Sequence, residues 1–431
     1  DWCWRSAGDP LADHSQLSAM AKNSMKQNNG GKFKDSLHGR PSLFSGSTRE
    51  RRPSSLGHRL KAGDGEKGKI VLAAGGTGGH LFPAQALAEE LVRRGYDIHL
   101  MTDERVKDYG KSFPAVETHI VPSATLSLNR PLRLPGGALR LYRGYARASG
   151  ILEKVRPLAV VGFGGYPSFP PILAATRLGI PTCVHDQNAV MGRANRMLAG
   201  LATKIAASFP NVRGLPPGAR KKVVFTGNPV RDIVLKEKAV SYPAISSDGS
   251  FNLLIFGGSQ GARFFGEFMP KVIKQFSPEM LKGLKIVQQC RPEDIDGLEE
   301  EYATLDNFNL ALFFMDMPRL IAESHLVICR AGASTIAELG VIGRPAILVP
   351  LPHALDNDQL RNAESFAAAG AGWIFPQEKL DPAEFAAFLT KLRGQQGKLK
   401  EAAKAALGHG KPDAAERLAD LTEQLAGKQP K

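Results

Sequence analysis

From Lys67 onward, short apolar runs alternate with stretches whose apolar positions recur at helical spacing. "KIVLAAGG" at 69–76 reads as a buried strand that runs into glycines. "PAQALAEELVRRG" at 83–95 follows, with Ala84, Leu87, Ala88 and Leu91 on one helical face and Gly95 as its stop. Strands are expected at "DIHLM", "LAVVGFGG", "PTCVHDQN" and "KIAASF", and helices at "RLYRGYARASGILEKV", "PPILAATRLG" and "GRANRMLAGLA". After a polar stretch at 236–250 the pattern restarts with "FNLLIFGGSQGARFFGEFMPKVIKQF", again strand, glycine turn and helix. Further strands are expected at "LKIVQQC", "LALFFM", "HLVICRAG" and "PAILVPL". Strands that alternate with helices form βαβ units around parallel sheets. The fold class is therefore α/β, as two doubly wound parallel-sheet domains with ligands at the carboxyl ends of the strands, in a cleft between them.

Composition changes this picture little. A chain of 431 residues is long for one core, which agrees with two domains. Residues 1–66 are polar and aperiodic, carry 11 Lys/Arg against 7 Asp/Glu, and read as a disordered basic leader. They hold no apolar segment of the signal-peptide kind. Cys3, Cys183, Cys290 and Cys329 are too far apart for a metal-ligand motif and fit a reducing compartment. The uncharged run 157–176 is long enough to span a bilayer, but three glycines and four prolines make it strand, loop and helix start. The net charge of +14 suits a phosphorylated substrate, an anionic membrane surface or nucleic acid.

The chemistry sits at the glycine turns. Gly75-Gly76-Thr77-Gly78-Gly79 and Gly257-Gly258-Ser259-Gln260-Gly261 each follow the first strand of a half. Such a turn presents bare amides and the positive end of a helix, which favours phosphate. The alternative is tight strand-to-helix geometry without a ligand. The dinucleotide pattern G-x-G-x-x-G fails, since read from Gly76 its last position is Leu81, and there is no P-loop signature. A dehydrogenase is thereby disfavoured. A third turn, Gly332-Ala333-Ser334-Thr335, opens a helix with Glu338 one turn in. Ser334 and Thr335 can meet a diphosphate and Glu338 a ribose diol, although the same pattern is a capping box. Gln359 and Asn362 share a helical face and suit sugar hydroxyls.

Seven motifs in order, "GGTGGH" (75–80), "GFGGYPS" (162–168), "HDQN" (185–188), "GNPVR" (227–231), "GGSQGAR" (257–263), "CRAGASTIAE" (329–338) and "DNDQLRNA" (356–363), resemble the MurG family. These are bacterial N-acetylglucosaminyltransferases that convert lipid I to lipid II in peptidoglycan synthesis. The resemblance covers about residues 68–428. It implies a GT-B fold of two Rossmann-like domains. Residues 67–229 would take the acceptor and the membrane, joined by a returning C-terminal helix at about 411–428, and 230–410 would hold the donor. The implied reaction is inverting, from UDP-N-acetylglucosamine to the 4-hydroxyl of the muramoyl sugar of an undecaprenyl-diphosphate-linked pentapeptide. By resemblance, Glu338 holds the ribose. Ser259, Gln260, Ala333, Ser334 and Thr335 hold the diphosphate, and Gln359 and Asn362 the N-acetylglucosamine. Phe314 lies near the uracil, and Thr77, Gly78, Gly79, Asn188 and Arg231 match donor-contact positions. His80, Tyr166 and His185 fall on the acceptor side. Asp186 stands where the family often has Glu, and Asp358 where some members have a second glutamine, which leaves Gln359 to carry the glutamine contact.

His80 is the expected general base, since imidazole titrates near neutral pH. The alternatives are a positioning role for His80, or Asp186 as base. No paired-Asp metal motif is present, so metal-independent transfer without a cofactor is expected. Residues 118–152 lack Asp and Glu, and Arg130, Arg133, Arg140, Arg143 and Arg147 interleave with leucines, Tyr142 and Tyr145. A polyprenyl acceptor favours reading this stretch as a peripheral contact with the anionic cytoplasmic face of the plasma (inner) membrane rather than with nucleic acid. Cell-wall synthesis and division proteins are further expected partners. Two other functions fit the same motifs: a diacylglycerol glycosyltransferase, and a nucleotide-sugar binding protein without turnover.

Overall fold

A computed structural model of the chain describes residues 67–106, 113–124, 134–244, 250–258, 263–352 and 355–427. The leader 1–66, Arg130, Arg133, Ser259 and Gln260 lie outside the described residues.

The first sheet contains β1 (Lys69–Ala73), β2 (Asp97–Thr102), β3 (Glu117–Ile120), β4 (Ala159–Gly162), β5 (Thr182–Asp186), β6 (Lys204–Ala207) and β7 (Val223–Phe225). Its order is β3-β2-β1-β4-β5-β6-β7. The second contains β8 (Phe251–Phe256), β9 (Leu284–Gln289), β10 (Asn307–Ala311), β11 (Leu326–Cys329), β12 (Ala346–Leu348) and β13 (Gly372–Ile374), in the order β10-β9-β8-β11-β12-β13. Among the described residues all pairings are parallel, and in each sheet the first strand of the half lies inside, where the chain reverses direction. That reversal is the switch point at which doubly wound sheets open a crevice.

Alternation along the strands builds a core on both faces of each sheet. Ile70 and Leu72 pack with Leu87 and Leu91, whereas Val71 and Ala73 pack with Ala148, Leu152 and Ile172. In the second sheet, Leu253 and Ile255 face Phe265 and Phe385, and Leu254 and Phe256 face Ile336, Leu339 and Phe366. The last helix, Ala414–Ala426, is distant in sequence but belongs to the first of these cores through Leu418, Leu421 and Leu425. Each buried leucine contributes about 2 kcal/mol to holding the chain's end there.

Three short strands, β3, β7 and β13, are absent from the sequence pattern. The strand expected at Leu310–Met315 instead spans Asn307–Ala311. Its partner β9 ends at Gln289, so residues past Ala311 have no ladder to join, and Phe313 and Met315 are exposed. The first helix also begins earlier than Pro83, at Gly78, with Thr77 as its N-cap residue and the proline inside.

Candidate functional site

Two helix N-termini meet in the crevice. Gly78–Arg93 starts directly after the β1 turn, and Ala333–Ile342 starts after β11 with Gly332 as its N-cap residue. Neither has an acidic residue in its first turn, so the positive ends of both helices are left for an anion. They touch: Ser334 Oγ donates to the Gly79 carbonyl at 3.3 Å. Pro83 explains why that carbonyl is free. Its ring nitrogen has no hydrogen to give the residue four before it, so Gly79 lacks its intrahelical donor.

Arg231, Glu338, Asn188 and Asn362, expected on the donor side, meet at the same seam. Arg231 Nη2 is 3.5 Å from Glu338 Oε1, and its guanidinium lies 3.9 Å over the Phe82 ring. Burial raises the Glu338 carboxyl above the usual range, and Arg231 opposes that shift. Asn362 is fully buried and spans the seam: its Oδ1 accepts from the Ala189 amide (2.9 Å) and its Nδ2 donates to Asn188 Oδ1 (3.0 Å). Gln359 is half-buried and its Oε1 accepts from the Leu351 amide. Phe314 is half-buried against the second domain's core. Thr77 and Gly79 are exposed, and Gly78, Ala333 and Thr335 are half-buried, all at the two N-termini.

On the other side, His80 is half-buried in the first turn of its helix. Gly164 and Gly165, at φ +84° and +69°, lie against its ring; a Cβ on Gly165 would sit 3.2 Å from His80 Cδ2 and 3.4 Å from Nε2. Any side chain there would crowd the imidazole. Tyr166 follows in a short 3-10 turn, half-buried. His80 Nδ1 is 3.1 Å from Gln187 Oε1. Gln187 Nε2 donates to the Phe163 carbonyl (2.9 Å) and to His185 Nδ1 (3.0 Å), and His185 Nε2 is 3.2 Å from the Gly227 carbonyl. His185 is fully buried, so it does not reach the crevice surface and meets His80 only through Gln187. Burial lowers the pKa of His80, with a smaller contribution from the Arg105 charge, and pushes His185 down to about 4.

Asp186 is buried and accepts from the Asn188 and Gly192 amides and from Asn195 Nδ2, which gives it the work of shaping the 186–192 loop. Sequence reasoning overlooked Gln187, quoted only as part of "HDQN", and Arg105. Arg105 is paired with Asp103 and lies over the glycine turn: a Cβ on Gly76 would be 3.0 Å from its Nη2. Neither residue has a local spacing signal toward the site, because His80 lies 107 positions from Gln187 and the Gly76 turn follows a different strand from the one that precedes Arg105.

The Leu134–Val155 helix exposes Arg140, Arg143 and Arg147, with Tyr142 66% exposed and Tyr145 half-buried. Leu141, Tyr142, Tyr145, Phe169, Pro170, Leu173 and Arg177 line a hollow of about 310 Å³ beside this face. Among the described residues, no helix is long and apolar enough to cross a membrane. Among the same residues, one group has metal-ligand character: His99, Glu117 and His119 on the β2–β3 edge, where the two imidazoles hydrogen-bond directly (3.2 Å).

Comparison with known proteins shows the family. Residues 70–207 match the glycosyltransferase family 28 N-terminal domain and 252–418 the family 28 C-terminal domain. A UDP-N-acetylglucosamine–N-acetylmuramyl-(pentapeptide) pyrophosphoryl-undecaprenol N-acetylglucosamine transferase of Rhizobium leguminosarum bv. trifolii is 48% identical over 362 residues, 84% of this chain and 96% of that protein. Its counterpart in Mesorhizobium japonicum is 48% identical over 364 residues, with the same coverage. The crystal structure of Acinetobacter baumannii MurG superposes with a TM-score of 0.66 at 30% identity, covering 83% of this chain and 99% of that one.

Proposed function

Since this chain belongs to glycosyltransferase family 28 and, within it, to the UDP-N-acetylglucosamine–N-acetylmuramyl-(pentapeptide) pyrophosphoryl-undecaprenol N-acetylglucosamine transferases, we infer that it converts lipid I to lipid II. It transfers N-acetylglucosamine from UDP-N-acetylglucosamine, with inversion, to the 4-hydroxyl of the lipid-linked muramoyl sugar. The observation that carries the site is the meeting of two unneutralised helix N-termini at Ser334 and Gly79.

In the proposed reaction His80 Nε2 takes the proton of the attacking hydroxyl. The oxygen forms a bond to the anomeric carbon, the bond from that carbon to UDP breaks, and the electron pair leaves on the diphosphate. Amides of the Gly78 and Ala333 turns, with Ser334 and Thr335, spread that charge. Glu338 holds the ribose once Arg231 yields it, Phe314 lies by the uracil, and Gln359 and Asn362 serve the sugar by exchanging their present protein partners. Because the helix ends supply the neutralisation, the transfer runs without a required metal ion or cofactor. The first-sheet domain, closed by Ala414–Ala426, takes the acceptor, and the second takes the donor. The arginine face of Leu134–Val155 rests on the anionic cytoplasmic leaflet.

Incubation of the full chain with UDP-N-acetylglucosamine and a lipid I analogue in EDTA tests this reading. The acceptor should gain the mass of one β-linked N-acetylhexosamine. Donor binding with an unaltered acceptor would contradict it, and dependence on an added divalent ion would remove the metal-free mechanism.

A further inference from the structure

We propose that Gln187 is a positioning residue that fixes which nitrogen of His80 carries the proton, leaving Nε2 as the free base. The inference rests on the reading of His80 as the base and adds how that base is set.

The Gly227 carbonyl can only accept, so His185 Nε2, 3.2 Å away, must be its donor. Burial keeps His185 neutral at physiological pH, so its Nδ1 carries a lone pair and must accept. The donor available to it is Gln187 Nε2, at 3.0 Å. The second hydrogen of that NH2 group goes to the Phe163 carbonyl at 2.9 Å, with the His185 carbonyl a longer contact at 3.3 Å. Both donors of the amide are therefore committed, and its orientation follows from the network rather than from a free flip. The amide oxygen is left facing His80 Nδ1 at 3.1 Å, and an oxygen without hydrogen requires N–H opposite it. In the neutral ring Nε2 is then unprotonated. The glycine at 165 leaves room beside that same atom.

A relay that ends in an amide differs from one that ends in a carboxylate. It orients the ring without adding a negative charge, so the imidazolium formed in the reaction gains little, and His80 stays a weak, readily unloaded base. Gln187 itself is buried, so its effect passes through His80. The charged and titratable groups that act on His80 are Arg105 and His185. Arg105 disfavours the imidazolium, and His185, held neutral, leaves the amide to set the tautomer.

The test reads the ring directly. Full-length enzyme labelled with 15N-histidine, with His80 assigned by the signal lost in His80→Ala, should show a protonated Nδ1 and a bare Nε2 at pH 7.5. In Gln187→Met, of similar size without an amide, the ring should shift toward the Nε2–H form. The kcat should fall roughly 10-fold or more while KM for UDP-N-acetylglucosamine stays within about two-fold. In Gln187→Glu, a carboxylate beside Nδ1 should move the acid limb of kcat/KM to higher pH. A wild-type ring protonated at Nε2 overturns the proposal without recourse to any variant. So does a Gln187→Met enzyme whose tautomer and kcat are unchanged. If His80→Ala keeps its turnover, the base reading fails, and the tautomer spectrum still decides the role of Gln187.

Discussion

A carboxylate half-buried opposite an arginine is a poor neighbour for solvent and a good one for a diol. Glu338 is held this way, its charge opposed by burial and supported by Arg231 at 3.5 Å. Replacing it by Gln keeps the shape but removes the charge-assisted hydrogen bonds proposed to a ribose, a loss of about 1.5–3 kcal/mol. Glu338→Gln is expected to raise KM for UDP-N-acetylglucosamine by roughly 10- to 10²-fold with a smaller change in kcat, read from initial rates. At this scale the sequence showed residue types but not their pairings. Glu338 stood out because one helical turn separates it from Ser334. Gln187 and Arg105 did not, because Gln187 reaches His80 across 107 positions and Arg105 lies over a turn that belongs to another strand.

Helix ends and faces carry the next level. The positive end of Gly78–Arg93 was legible from its glycines, and the free Gly79 carbonyl follows from Pro83, yet its acceptance of Ser334 needed the fold. The short strands β3, β7 and β13 were not legible: three or four residues show no period, and their place is set by the neighbouring strand they pair with. The Leu134–Val155 helix, by contrast, displays the arginine stripe that the spacing of Arg140, Arg143 and Arg147 implies. Each arginine near an anionic surface adds about 1 kcal/mol. Reversing all three to Glu should abolish co-sedimentation with phosphatidylglycerol-containing liposomes at low salt. It should leave turnover of a water-soluble acceptor unchanged. Liposome binding that survives the triple reversal would remove this face as the membrane contact.

For the molecule as a whole, alternation of strand and helix was enough to give two doubly wound domains, while the packing of Ala414–Ala426 on the first core joins residues far apart in sequence, through Leu418 and Leu425. The buried His185 joins β5 to Gly227 at the end of the first domain, and its protonation couples stability to pH. Its folded pKa of about 4 lies below the ordinary 6.5, so the unfolded chain binds the proton more readily. The stability it contributes is complete above pH 6.5 and is lost as pH falls toward 4, by about 3 kcal/mol over that window. Urea midpoints should therefore drop between pH 7 and 5, and a flat profile would show that this histidine is not held neutral. His80, with Gly164 and Gly165 against its ring, is proposed to accept the proton of the incoming hydroxyl. This role is tested most directly by kcat of His80→Ala with a lipid I analogue, alongside calorimetric binding of UDP-N-acetylglucosamine to the same protein. The kcat is expected to be lower by roughly 10²-fold or more with donor affinity retained. A near-normal kcat would contradict this role.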